Sequence, residues 1–173
     1  MDNPVVEAVA TALGDCGYAP LRFNWRGVGG SAGRVTGTIV DAIDDYLTAL
    51  SEAQTIASKP ASVGRCTRVL AAGYSFGAIA AAEVVARDDA AIERLVLVAP
   101  PVAMLESIDL GSFERPIHVV VGECDSFAPL KALTKILDRV PEARLDVIPD
   151  ADHFFALPFW IGRLEELVRA PLL

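Results

Sequence analysis

Several short segments of this chain are apolar almost without interruption: Thr67 to Tyr74, Leu95 to Ala99 (LVLVA) and Ile117 to Val121. Strands that read this way are buried on both faces. Helical patterns separate them. Asn3-Pro4 opens the first, with Val5, Val6, Val9, Ala10 and Leu13 on one face and Gly14 and Gly17 at its end. A second runs from Thr38 to about Ser58, with Ile39, Ala42, Ile43, Tyr46, Leu47 and Leu50 at helical spacing. Asp41, Asp44, Asp45 and Glu52 fall on its other, solvated face. Phe76 to Arg87, Leu130 to Val140 and Pro158 to Ala170 complete the helices. Ala19 to Trp25 and Arg144 to Ile148 read as further strands. Alternation of this kind predicts an α/β fold, a mostly parallel sheet flanked by helices.

At 173 residues, the chain suits one domain, 1–173. Acids outnumber bases by 23 to 15, and the formal charge of −8 argues against a nucleic-acid partner, which would need clustered Lys and Arg. The run from Leu95 to Leu105 is broken by Pro100 and Pro101 and falls short of the roughly 20 apolar residues of a membrane span. The start, MDNPVVEAVA, carries Asp2 and Glu7 where a secretory signal would be basic. Cys16, Cys66 and Cys124 have no metal-like spacing, and their odd number suits a reducing compartment. The expectation is a cytoplasmic protein with no metal or organic cofactor, no membrane partner and no nucleic-acid partner.

Gly73-Tyr74-Ser75-Phe76-Gly77 has the pattern G-x-S-x-G between a predicted strand and a predicted helix, the context that a nucleophile elbow requires. The glycines give room for a sharp reversal, and Ala78, Ala80, Ala81 and Ala82 let the next helix lie close to the sheet. The alternative is a serine that caps a helix. A serine nucleophile needs a base. His118 lies inside the strand PIHVVV and reads as structural. His153 follows the last strand, where catalytic groups of open α/β sheets gather, and is the better base. Asp125, after the preceding strand, is the candidate to orient it, with Glu123 in reserve. Asp150 and Asp152 read as loop-shaping residues. Phe76 would offer its backbone N–H to an oxyanion.

These blocks resemble the α/β-hydrolase superfamily, and more narrowly a bacterial group of small serine hydrolases similar to dienelactone hydrolase-like and esterase-like proteins. The carriers are MDNPVV, LRFNWRGVGGSAG at 21–33, AGYSFGA at 72–78, GECDSFAP at 122–129 and ADHFF at 151–155. The resemblance implies Ser75 as nucleophile, Asp125 as acid and His153 as base. It also implies that the family's opening strands precede the segment equivalent to MDNPVV. One of them lies between the strand of Leu21 and that of Val69, and its loop helps to supply a second oxyanion donor. The expectation is an N-terminally shortened fold, from a start codon placed too late rather than from excision or a rearranged sheet.

The expected activity is cleavage of small or short-chain carboxylic esters through an acyl-enzyme. The short segment between Pro100 and Pro116 leaves no room for a large lid. Met104, Leu105, Phe127, Phe154 and Phe155 are candidates to line the pocket or to fill the core. Two other readings stand beside this one. A catalytically impaired protein of the same fold would bind without turnover. Gly27-Val28-Gly29-Gly30-Ser31-Ala32 loosely fits a dinucleotide fingerprint, but Asp44 and Asp45 lie too near, and within a helix, to be its acid.

Overall fold

Asn3 starts the first helix as its chemistry predicts. Its side-chain oxygen accepts from the N–H groups of Val5 and Val6, and Pro4 occupies the first turn, where no N–H is needed. The computed structural model describes residues 2–57, 69–87 and 92–172. The sequence-based boundaries at Ser58 and Thr67, and Cys66, lie outside these ranges.

The helices are α1 (Pro4–Asp15), α2 (Ile39–Ala57), α3 (Phe76–Val85), α4 (Val102–Leu105), α5 (Leu130–Leu137) and α6 (Pro158–Arg169). The strands are β1 (Val69–Tyr74), β2 (Ile92–Val98), β3 (Ile117–Gly122) and β4 (Ala143–Ile148). They pair in the order β1-β2-β3-β4, and every pairing is parallel. Leu95, Leu97, Ile117, Val119 and Val121 point to one face, covered by α2, α3 and α5. Val96, Val98, Val120 and Ile148 point to the other, covered by α1 and α6. Both faces are therefore dry, which is why these strands are apolar throughout. The alanines of α3 are fully buried, so small side chains do bring this helix against the sheet. No described helix is long and apolar enough to cross a membrane.

Two sequence expectations need correction, and one segment that the sequence left unassigned forms short helical turns. Helix α5 ends at Leu137 rather than Val140, because Val140 precedes Pro141 and is pushed out of helical geometry. A short helix, α4, and a 3-10 turn at Leu110–Ser112 fill the segment between β2 and β3. Ala19 to Trp25 forms no strand. A strand exists through its ladder, and this segment has none to join. On the outer edge of β1, the Tyr46 hydroxyl takes both polar groups of Ala72, donating to its C=O at 2.9 Å and accepting from its N–H at 3.0 Å. Burial pushes the Tyr46 phenol well above its ordinary pKa, so it keeps the proton that it donates. Phe23 packs edge-on against Tyr46 and Trp25 instead of pairing through its backbone.

His118 sits near the start of β3, 2% exposed, with Nε2 2.8 Å from Asp146 on β4. Arg144 also reaches Asp146, at 2.8 Å. Burial pushes the His118 imidazole below its ordinary value of 6.5; Asp146 pulls it back only in part, while Arg144 and Arg94 push it further down. The folded protein thus holds a neutral ring that the unfolded chain protonates below about pH 6.5. Because the unfolded state then binds more protons, stability is complete above that pH and is lost as pH falls below it. The urea midpoint should drop between pH 7 and pH 5.5, and His118→Gln, which keeps a donor for Asp146, should flatten that drop. An unchanged drop in the variant would contradict the assignment.

Candidate active site

Each group of the site stands at the carboxyl end of a parallel strand, where backbone leaves the sheet and side chains can converge. Ser75 follows β1 directly. Its backbone is left-handed, φ 52° and ψ −120°, a strained geometry for a side chain with a Cβ. Its N–H is fixed to the Val98 C=O of β2 at 2.9 Å. Gly73 makes the turn possible: a Cβ there would lie 2.2 Å from the Gly77 carbonyl oxygen. Gly77 itself has more room than its place in the motif suggests, since a Cβ there would make only an ordinary 3.6 Å contact with Trp25.

The Ser75 side chain makes no capping bond to α3. Its Oγ lies 2.8 Å from His153 Nε2 instead, which disposes of the helix-cap alternative. His153 is buried, and its Nδ1 lies 2.8 Å from Asp125 Oδ2. An ionised carboxylate only accepts, so Nδ1 carries the proton and Nε2 is left to accept from the Ser75 hydroxyl. The Asp125 side chain is fully enclosed, and its other oxygen accepts from the N–H groups of Phe127, at 2.8 Å, and Ala128, at 3.0 Å. Burial without such partners would be costly. The structure therefore brings together all three residues that the sequence singled out. Phe76 is the first residue of α3, and its N–H has no acceptor within the helix.

Glu123, the reserve acid, does not reach His153. Its carboxylate accepts from the Asp150 N–H at 3.1 Å, across the two loops. The same loops are joined by Glu123 N–H to Ile148 C=O, 2.9 Å, and Cys124 N–H to Ala151 C=O, 2.8 Å. Asp150 has φ 58°, and Asp152 accepts from the Phe154 N–H at 3.0 Å, so both shape the loop that presents His153. His118 pairs with Asp146 near the amino end of β3, whereas Asp125 follows that strand's carboxyl end.

Sequence reasoning missed three features. The Tyr74 hydroxyl donates to the His153 C=O at 3.0 Å, and burial followed by Asp125 and Asp152 pushes its pKa up to about 12, which keeps the donor protonated. Trp25 packs edge-on against Phe76, behind the prospective oxyanion donor. Gly122 closes β3 where a Cβ would lie 2.3 Å from the Ala151 carbonyl oxygen. A glycine ending a buried strand was the available signal for that approach. Of the proposed pocket residues, Leu105 and Phe155 are core, Met104 is partly buried, and Phe127 and Phe154 are exposed.

The glycine-rich loop is built for compactness. The Gly27 N–H bonds the Ala32 C=O, and the Ser31 hydroxyl bonds the Asn24 C=O. Arg26 ties the loop to α2 through Asp41 and Asp45. Burial raises the Asp45 carboxyl, but its bonds to Arg26 outweigh this and hold it below the usual range. A cavity of about 780 Å³ lies between this segment and α2, lined by Leu21, Phe23, Arg26, Asp45 and Leu47 among others, and contains none of the three convergent residues.

The family model described as serine aminopeptidase, S33, matches residues 4–108, a stretch that includes Ser75 and stops before Asp125 and His153. The RP471 protein of Rickettsia prowazekii, itself uncharacterised, is 30% identical over 164 residues; the chain spans 66% of that relative's length. Among solved structures, an α-β serine hydrolase homologue from Coxiella burnetii is 30% identical with a TM-score of 0.85, covering 100% of this chain and 78% of its own. XC6422 from Xanthomonas campestris, described as an a/b serine hydrolase without a lid, is 31% identical with a TM-score of 0.72, covering 98% of this chain and 74% of its own. A parallel sheet with helices on both faces, a matched family model over more than half the chain and these likenesses agree: the chain belongs to the serine aminopeptidase S33 family of the α/β-hydrolase superfamily.

Proposed function

We propose that this chain is a serine hydrolase that cleaves small or short-chain carboxylic esters through an acyl-enzyme. The observation that carries the reading is the unbroken relay of Ser75 Oγ, His153 Nε2, His153 Nδ1 and Asp125 Oδ2, each link 2.8 Å. In this reading Ser75 attacks the ester carbonyl while His153 takes its proton. Asp125 stabilises the imidazolium, and the Phe76 N–H, aided by the positive end of α3, donates to the oxyanion. The alcohol departs with the proton from His153. Water then repeats the sequence and frees Ser75.

Size selection follows from what covers the site. The segment between β2 and β3 holds only a four-residue helix and a 3-10 turn, so it supplies no lid. The Xanthomonas hydrolase is likewise described as lidless. With no lid to close over it, a long acyl chain would remain largely in water, so its burial would add little to transition-state binding.

The account predicts p-nitrophenyl acetate hydrolysis by the chain, abolished in Ser75→Ala. Asp125→Asn should lower kcat by about 10⁴ while leaving the fold intact, because the amide favours the wrong imidazole tautomer. Unchanged activity in either variant would contradict the assigned roles. Gly122→Ala tests the geometry separately. The added methyl must displace the loop of His153 from that of Asp125, and a shift of about 1 Å costs on the order of 10²-fold in rate. A folded Gly122→Ala protein with full activity would show that the spacing of these loops does not limit the reaction.

A further inference from the structure

Two of the three exposed phenylalanines of this chain stand beside one ring. Phe127 is 53% exposed and Phe154 is 62% exposed. Their rings lie 4.6 Å and 5.3 Å from the imidazole of His153, one tilted and one edge-on. Phe159, at 66%, and Leu157, at 42%, are exposed where the same loop runs into α6. Elsewhere, Phe113 and Phe155 are buried, as phenylalanines ordinarily are. Apolar side chains scattered singly over a surface need no explanation, but a cluster at a site does.

The position of the cluster identifies what it would meet. His153 Nε2 gives its proton to the departing oxygen of the alcohol, which must then sit within about 2.6–3.2 Å of that nitrogen. A substituent on that oxygen larger than a methyl group comes within reach of the two rings that contact the imidazole, Phe127 and Phe154. The carbonyl oxygen, by contrast, turns toward the Phe76 N–H.

Resting on the serine-hydrolase reading, we propose that Phe127 and Phe154 form the leaving-group subsite, and that the preferred substrates are short acyl esters of apolar alcohols, aryl-methyl alcohols in particular. The two rings are specificity residues: they touch the alcohol, and the Phe127 side chain can be removed without losing the backbone N–H that holds Asp125.

The test compares benzyl acetate with methyl acetate, whose alcohols are of similar acidity, by titrating the acid released. The wild type should show a kcat/KM ratio in favour of benzyl of at least about 10, as expected for apolar groups entering an apolar site. In the Phe127→Ala/Phe154→Ala variant the ratio should approach one, whereas Phe154→Leu, which keeps apolar area, should retain most of it. Val40→Ala, an exposed apolar truncation on α2, should leave the ratio unchanged. Hydrolysis of both esters with no benzyl preference, or a preference that survives the double variant, overturns the subsite and leaves the hydrolase reading standing. Absence of hydrolysis with either ester overturns both. Binding of the wild type to phosphatidylcholine vesicles, lost in the double variant and without leaving-group discrimination, would assign the rings to a lipid surface and overturn the subsite.

Discussion

Gly122 and Ala151 approach so closely that one methyl group would not fit between them, and the site depends on that contact. Asp125 follows Gly122 by three residues and His153 follows Ala151 by two. With backbone bonds from Glu123 and Cys124 drawing the loops together, the carboxylate and the imidazole can meet only at hydrogen-bonding distance. The Asp125 carboxylate is enclosed, and each of its oxygens has a partner, so it is held rather than merely present. Preorganisation of this kind lets a relay act without rearranging as charge develops.

Strain is concentrated where the chemistry is proposed. Ser75, Ala99, Asp150 and Phe155 have positive φ without being glycine. Ser75 directly follows β1, Ala99 directly follows β2, and the other two lie in the loop that carries His153. Each costs on the order of 1–3 kcal/mol and persists because its surroundings fix it. Here those surroundings are the Ser75 and Ala99 N–H bonds to neighbouring strands and the bond from the Asp150 N–H to Glu123. The buried alanine helix α3 and the two-faced apolar sheet form the rigid base against which this strain is held.

Much of this was legible in the sequence, for local reasons. Strands buried on both faces must be apolar, and LVLVA can hardly be anything else. G-x-S-x-G between strand and helix defines a turn with few solutions, and Asp125 and His153 each follow a strand. What was not legible depends on contacts between distant segments. Leu21, Phe23 and Trp25 alternate like a strand, yet whether a ladder receives them is decided by β1, whose outer edge is taken by the Tyr46 hydroxyl. Glu123 and Asp125 are chemically alike and two positions apart; only the packed loops decide which one faces His153. Phe154 and Phe155 are adjacent and identical in type, and the left-handed backbone at Phe155 turns one inward and leaves the other in solvent.

Labelling with a fluorophosphonate, followed by mapping of the modified peptide by mass spectrometry, tests the central claim most directly. The reagent reacts only with a serine whose proton a neighbouring base removes. The account predicts a single adduct on Ser75, formed quickly in the wild type and lost when His153 is replaced by alanine. Failure to form an adduct, or an adduct on another serine, would contradict it.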